Sequence, residues 1–86
     1  MTIPYANTKF ALVKIGGRKF YMQIEREMSN GNIVGRRVDK SGNFWEKDDG
    51  KHWTQHMIVA AKRNVLGMYR LNLYYGELEL YHETKS

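Results

Sequence analysis

Three histidines and nine carboxylates are the side chains of this 86-residue sequence that could bind a metal or transfer protons. There is no cysteine, which excludes thiolate zinc sites, disulfide scaffolds and thiol nucleophiles. His52 and His56 are four residues apart, a spacing that aligns two ligands on one face of a helix. Thr54 between them is typical of a helix start, so we expect His52 to lie on a preceding strand. The sequence therefore predicts no metal site and no cofactor.

The hydroxyl and carboxyl groups do not form a recognisable catalytic pattern. Ser29 and Ser41 lie among turn-forming residues and not at a strand-to-helix elbow that would expose a strained nucleophile. Asp48 and Asp49 are adjacent, and neighbouring aspartates in turns are usually exposed, ionised and structural. Gly16-Gly17 is followed by a strand-forming segment, whereas a phosphate-binding glycine loop needs a helix there. We therefore expect a protein that is not an enzyme.

The charge of the chain favours an acidic partner. The formal net charge is +5 and the isoelectric point is about 9.6, values that suit nucleic acid or an acidic protein surface. Residues 1–24 and 51–76 contain lysine and arginine but no acid. If strands from these two stretches lie together, one face of the protein carries a positive field.

No segment of the sequence predicts a contact with a membrane. The longest apolar run, residues 57–61, is far shorter than the roughly 20 residues that span a bilayer. The first residues lack the basic and apolar stretches of a signal peptide. We expect a cytoplasmic protein.

Turn-forming residues divide the chain into short strand-like segments. Residues 9–15 and 18–25 are rich in strand formers and flank Gly16-Gly17, which can adopt the positive φ angles of a two-residue hairpin turn. Residues 68–74 and 77–82 alternate apolar and polar side chains, which predicts a closing hairpin. Further turns are indicated at Asn30-Gly31, 39–43, 48–50 and Gly76.

Residues 55–66 are compatible with two structures. Thr54 can cap a helix whose apolar residues recur at spacings of three and four and which ends before Gly67. Residues 56–60 equally resemble a buried strand, and periodicity does not decide between them in so short a segment. Both alternatives stay open.

The whole pattern predicts a mainly β fold with at most one short helix, at the border of the α+β class. Short strands joined by glycine, asparagine and aspartate turns are typical of a meander that closes into a small, partly open barrel of the SH3-like or OB-like kind. We expect one domain over residues 1–86, because the chain is too short for two cores. The tail, residues 83–86, is expected to be frayed.

The first hairpin separates into two faces once its register is set. A two-residue turn places Ile15 opposite Arg18 and each earlier residue opposite its mirror. One face is apolar and consists of Ala11, Val13, Ile15, Phe20, Met22 and Ile24. The other face consists of Phe10, Leu12, Lys14, Lys19, Tyr21 and Gln23.

That second face predicts a site for nucleic acid. Lys14 lies opposite Lys19, and like charges in this position are destabilising unless something negative relieves them. Aromatic rings on the same face could stack on bases while the lysines contact phosphates. Arg36 falls across from Glu25, which leaves Arg37 as the better ligand contact. The predicted site for RNA or single-stranded DNA comprises Phe10, Lys14, Arg18, Lys19, Tyr21 and Arg37. The alternative is that Phe10, Leu12 and Tyr21 pack beneath the closing hairpin.

The aromatic residues of the second half favour a different function. Trp45 and Trp53 flank the Asp49-Gly50 turn, whose register sets Glu46 opposite Trp53. One tryptophan can fill the core while the other stays partly exposed, as is common at protein interfaces. The alternative function is a protein–protein interaction module or small inhibitor, with a homodimer as one form. Its interface would consist of Trp45, Trp53, Tyr69, Tyr74 and Tyr75.

Overall fold

Antiparallel strands account for most of the protein. A computed structural model describes residues 4–44, 47–48, 53–54 and 57–83. The strands are β1 (Tyr5–Ile15), β2 (Arg18–Glu27), β3 (Ile33–Val38), β4 (Lys47–Asp48), β5 (Trp53–Thr54), β6 (Met57–Ala60), β7 (Val65–Asn72) and β8 (Glu77–Glu83). A single 3-10 turn at Lys62–Asn64 is the helical element of the described residues. The predicted mainly β class, with at most one short helix, is confirmed.

Six of these strands form one sheet in the order β6-β3-β2-β1-β7-β8, and β4 and β5 form a separate two-stranded ribbon. β1 lies at the centre, because it pairs with β2 through a tight turn and with β7 through a long connection. β6 and β8 are the edges of the sheet, and no ladder joins these two strands in the part of the chain that the structure describes. The last hairpin, β7–β8, thus pairs with the first hairpin, β1–β2, along β1.

The first hairpin has the predicted register. Ile15 pairs with Arg18, and Lys14 pairs with Lys19. Gly16 and Gly17 form the turn at φ 61° and φ 80°, values that side chains rarely allow. The turn chemistry alone therefore sets which side chains share a face.

The ambiguous segment is strand where the structure describes it. Residues 57–60 form β6 and pair with β3, so that Ala60 lies opposite Ile33 and Ile58 opposite Gly35. The helical alternative is wrong for these residues, because pairing with β3 satisfies the backbone in place of helical hydrogen bonds. Gln55 and His56 lie outside the described residues.

The ribbon of β4 and β5 differs from its predicted register. Trp53 pairs with Asp48 and Thr54 with Lys47, whereas the Asp49-Gly50 turn predicted Glu46 opposite Trp53. The predicted register was therefore wrong by two residues, and residues 49–52, which include the predicted turn, lie outside the described residues. Trp45 and the side chain of Trp53 lie outside the described part of the chain.

The main core lies on the predicted apolar face of the first hairpin. Ala11, Val13 and Met22 are completely buried, and Val65 packs with them from the start of β7. Arg37 reaches the edge of this face and places its guanidinium 5.2 Å from the centroid of the Phe20 ring. Residues that alternate with these point to the second face of the sheet.

The second face is covered by the loop after β3. Its Gly42 lies so close that an added Cβ would be 3.5 Å from the tip of Phe10 and 3.4 Å from Leu71. The carbonyl oxygen of Lys40 in the same loop accepts a hydrogen bond of 2.8 Å from the N–H of Leu78 on β8. The sheet is therefore curled, so that the end of β3 reaches the start of β8.

A β-bulge in β2 brings two backbones unusually close. The β2–β3 register shifts between Ile24 and Arg26, which leaves Glu25 as the extra residue. Opposite the bulge, a Cβ added to Gly35 would lie 1.7 Å from the carbonyl oxygen of Gln23. The φ angle of Gly35 is not positive, so space and not backbone conformation requires glycine here.

Candidate nucleic-acid interface

Three cations lie together at the tip of the β1–β2 hairpin. Lys14 and Lys19 are cross-strand partners, and Arg18 follows the turn directly. All three residues are exposed. Directly opposite residues have Cβ atoms about 4.5–5.5 Å apart, and in the described residues no acid forms an ion pair with these cations. The tip therefore concentrates positive charge without internal compensation.

A groove of about 410 Å³ continues from this tip toward β3. We call it the hairpin groove; its chemically active lining consists of Lys19, Tyr21, Arg37, Asp39 and Lys40. Three of these residues belong to the predicted site. Lys40 is an addition that the sequence did not predict, because only the path of the loop after β3 brings it beside Lys19.

The acid in the hairpin groove is engaged by the backbone. Asp39 Oδ1 accepts hydrogen bonds from the N–H groups of Ser41 and Asn43, at 2.9 and 3.0 Å. This arrangement is an Asx turn, which fixes the loop that carries Lys40. Beside this carboxylate, the lining of the groove includes the cationic residues Lys19, Arg37 and Lys40.

Phe10 does not belong to the interface. Only 3% of it is exposed, because the loop around Gly42 covers its ring. The stacking role predicted for Phe10 is therefore wrong. Phe10 packs inside the protein, as the alternative held, but beneath the loop after β3 and not beneath the closing hairpin, and Leu12 and Tyr21 are only half-buried. Tyr21 is half-buried and meets Tyr69 edge to face, with ring centroids 5.1 Å apart, so only part of Tyr21 faces the hairpin groove.

The two arginines of β3 have different partners. Arg36 forms the expected ion pair with Glu25, but its cross-strand partner is Gln23 and not Glu25, so the predicted register was wrong. Arg37 is half-buried over Phe20 and lines the hairpin groove. Stacking on an aromatic ring helps to hold a guanidinium in one orientation.

The tyrosines of the alternative interface lie elsewhere. Tyr74 and Tyr75 are 73% and 69% exposed in the β7–β8 turn, and their rings meet edge to face at 5.0 Å. Leu73 beside them and Tyr81 on β8 are also exposed. Tyr69 is separate from this group, since its ring packs on Tyr21.

A buried asparagine holds the turn that carries these tyrosines. Asn72 is fully buried, and its Oδ1 accepts the N–H groups of Tyr74 and Tyr75 at 2.8 and 3.1 Å. Its Nδ2 donates to Glu79 Oε1 at 2.9 Å, while the Tyr5 hydroxyl donates to Oε2 at 2.8 Å. Two hydrogen bonds lower the pKa of Glu79: the bond from Asn72 has the larger effect and the bond from Tyr5 the smaller one. The hydrogen bond that Tyr5 donates to Glu79 also raises the pKa of Tyr5.

The hairpin groove and the tyrosine turn are far apart. The N–H of Leu73 donates to the Pro4 carbonyl oxygen at 2.9 Å, just before β1 begins. The hairpin tip lies at the other end of β1, ten residues later, which corresponds to about 33 Å of strand. A small ligand cannot contact both surfaces at once.

Within residues 4–44, 47–48, 53–54 and 57–83, no group of three or more histidines, cysteines and acids is close enough to hold a metal ion. His52 and His56 lie outside these ranges. The same part of the chain contains no helix of the length and apolarity that crossing a membrane demands. Comparison of the chain with protein-family models, curated proteins and solved structures found no match.

Proposed function

We propose that this chain is a non-enzymatic domain that binds RNA or single-stranded DNA along the β1–β2 hairpin and its groove. The observation that carries the proposal is the pair of like charges formed by Lys14 and Lys19, with which no acid of the described residues forms an ion pair, and a groove that continues from Lys19 to Arg37 and Lys40. Like charges held face to face weaken a hairpin. A bound polyanion turns the same arrangement into a source of affinity, since each lysine releases counterions from a phosphate.

Each residue has a distinct role in this binding mode. Lys14 and Lys19 contact neighbouring phosphates, because they are exposed cross-strand partners on one face. Arg18 pairs with Ile15 and projects from the other face of the hairpin tip, where it adds positive charge. Arg37 reaches a phosphate or a base edge from the floor of the groove. Tyr21 supplies the exposed part of one ring for contact with a base. Most of the affinity is then electrostatic, and sequence preference is weak.

The test is a salt-dependent titration of Lys14→Gln/Lys19→Gln against a single-stranded oligonucleotide. We expect weaker binding and a plot of log K against log salt that is shallower by about 0.7 for each lost phosphate contact. The matched control is Arg26→Gln/Lys62→Gln, which removes the same charge from exposed positions away from the hairpin groove. The control retains the salt slope of the parent protein. Equal binding and equal slopes in both variants and the parent would refute the hairpin site.

A second candidate is a protein-binding surface at the β7–β8 turn. It is favoured by the exposure of Leu73, Tyr74, Tyr75 and Tyr81, since tyrosines on a fixed turn are typical of interface hot spots. The partner is an acidic protein surface or a second copy of the chain. Light-scattering mass measured over a range of concentrations tests the homodimer: a dimer that Tyr74→Ser/Tyr75→Ser converts to a monomer supports it, and a monomer at every concentration excludes it.

A further inference from the structure

A second positively charged concavity lies between β1, β7 and β8. This cleft has a volume of about 320 Å³, and we call it the β8 cleft. Its chemically active lining consists of Lys9, Arg70, Tyr81 and His82, with Asn7 and Thr8 from β1. Lys9 and His82 are exposed, Tyr81 is 66% exposed and Arg70 is half-buried. Nitrogen donors thus line one cleft, with the exposed Lys9 and His82 at its rim and the half-buried Arg70 in its wall.

Two positive charges of the β8 cleft lie opposite each other across the β1–β7 ladder. Lys9 on β1 is the direct partner of Arg70 on β7, the same destabilising juxtaposition as that of Lys14 and Lys19. The acid nearest in the ladder is Glu79, the partner of Arg70 on β8. Its two oxygens accept hydrogen bonds from Asn72 and Tyr5, and in the described residues no ion pair joins Glu79 to Arg70. Glu79 still interacts electrostatically with Arg70, so this single carboxylate balances only part of the charge of Lys9 and Arg70.

Arg70 is held in place by aromatic rings. Its guanidinium carbon lies 3.7 Å from the centroid of the Tyr5 ring and 5.2 Å from that of Tyr81. Its Nε is buried and has no hydrogen-bond partner within the described part of the chain. A buried donor without a partner is unfavourable and calls for a physical explanation such as a bound anion. The stacking leaves the guanidinium oriented before any ligand arrives.

The backbone of β1 is irregular at the same place. Tyr5 pairs with Asn72 and Lys9 with Arg70, so the register shifts by two residues between these pairs. The extra residues of β1 lie among 6–8, and all three line the β8 cleft. Such bulges interrupt the ladder and are frequent beside binding sites.

We propose that the β8 cleft binds the terminal phosphate of a phosphate monoester. A monoester carries a charge of about −1.5 to −2 at pH 7, which matches two permanent cations with a histidine beside them. The planar guanidinium of Arg70 suits two phosphate oxygens, and Lys9 supplies a point charge from the opposite strand. The exposed ring of Tyr81 borders the position of the organic part of the ligand. Lys9 is five residues from Lys14, about 17 Å along β1, so this site does not depend on the hairpin groove.

The test is a titration of the ¹⁵N-labelled full chain with three probes at constant ionic strength. Inorganic phosphate and adenosine 5′-monophosphate represent a free ligand, and an oligonucleotide with or without a 5′-phosphate represents a strand end. We expect saturable shifts of the amide signals of residues 6–9, 68–70 and 81–82. Lys9→Gln should weaken this binding at least fivefold. Arg63→Gln removes the same charge from an exposed residue outside the cleft, and it should change the affinity less than twofold.

Three results would overturn the proposal: shifts that do not saturate, shifts confined to the hairpin groove, or equal affinities of Lys9→Gln and the parent. Saturation by only the 5′-phosphorylated oligonucleotide supports the same phosphate chemistry and assigns it to a strand end. Lys14→Gln/Lys19→Gln separates this proposal from the hairpin site. If that variant loses oligonucleotide binding but still binds inorganic phosphate, the two sites are independent, as proposed.

Discussion

Replacement of Gly35 by alanine should destabilise the protein severely. The new Cβ would start 1.7 Å from the carbonyl oxygen of Gln23, 2.8 Å from its carbonyl carbon and 3.2 Å from the Cα of Ile24. Ordinary contact begins near 3.4 Å, and every obstructing atom belongs to the backbone. The two strands must therefore separate by more than an ångström, which disrupts the β2–β3 ladder. Overpacking costs about 1–3 kcal/mol and a lost ladder hydrogen bond about 0.5–1.5 kcal/mol, so we expect a loss of about 3 kcal/mol.

Thermal unfolding followed by circular dichroism measures this effect. For a domain of this size, 1 kcal/mol corresponds to about 4–8 °C in Tm, so Gly35→Ala should lower Tm by about 12–24 °C. The matched control is Gly16→Ala: its φ is 61° and nothing lies within 4 Å of an added Cβ. It should cost about 1–2 kcal/mol from backbone conformation alone. A Tm of Gly35→Ala no lower than that of the control would show that the close approach of the two strands is not present.

Three further predictions concern polar groups. Asn72→Asp replaces the Nδ2 group that donates to Glu79 with a carboxylate oxygen. Chemical denaturation should show a free energy of unfolding that is lower by about 1–3 kcal/mol. This loss should become smaller in acid, because one of the two carboxyl groups is then protonated. Because the folded-state pKa of Glu79 is lowered, its contribution to stability is present above the unfolded pKa and is lost as the pH falls through the folded value. Glu79→Gln should therefore flatten the acid limb of a plot of Tm against pH. Tyr5→Phe removes one of the two hydrogen bonds to Glu79 and should flatten this limb less. An acid limb that is unchanged in both variants contradicts the prediction. Lys14→Gln/Lys19→Gln should raise the free energy of unfolding, measured by urea denaturation, by a few tenths of a kcal/mol. A clear fall in this free energy would mean that the lysines do not repel each other.

Local turn chemistry explains what could be predicted from sequence. Gly16-Gly17 determines the pairing of every residue of the first hairpin that follows Lys9, and so it revealed both the apolar face and the juxtaposed lysines. The same logic failed for β4 and β5, whose register differs by two residues from the register that a turn at Asp49-Gly50 predicts. A turn signal gives the correct register only when the chain turns at the residues that carry the signal.

The covering of the second face could not be predicted, because it depends on contacts between distant segments. The alternation of side chains along β1 places Phe10 on the face that was predicted to be exposed, yet the loop around Gly42 lies over its ring. The opposition of Lys9 and Arg70 was also invisible, since nothing local indicates that β1 pairs with β7 or where its bulge falls. For the same reason the sequence identified three of the five chemically active residues of the hairpin groove and missed Lys40.

The central position of β1 has a consequence for how the protein folds. Only two residues separate β1 from β2, whereas β7, the other neighbour of β1, begins fifty residues after β1 ends. Contacts between such distant segments require the entropy of a long loop to be lost before they form. The two terminal hairpins can form early and independently, and their docking along β1 is expected to be the slow step. Until it occurs, β1 presents an unpaired edge 11 residues long, and the folding intermediate is open to association with other chains.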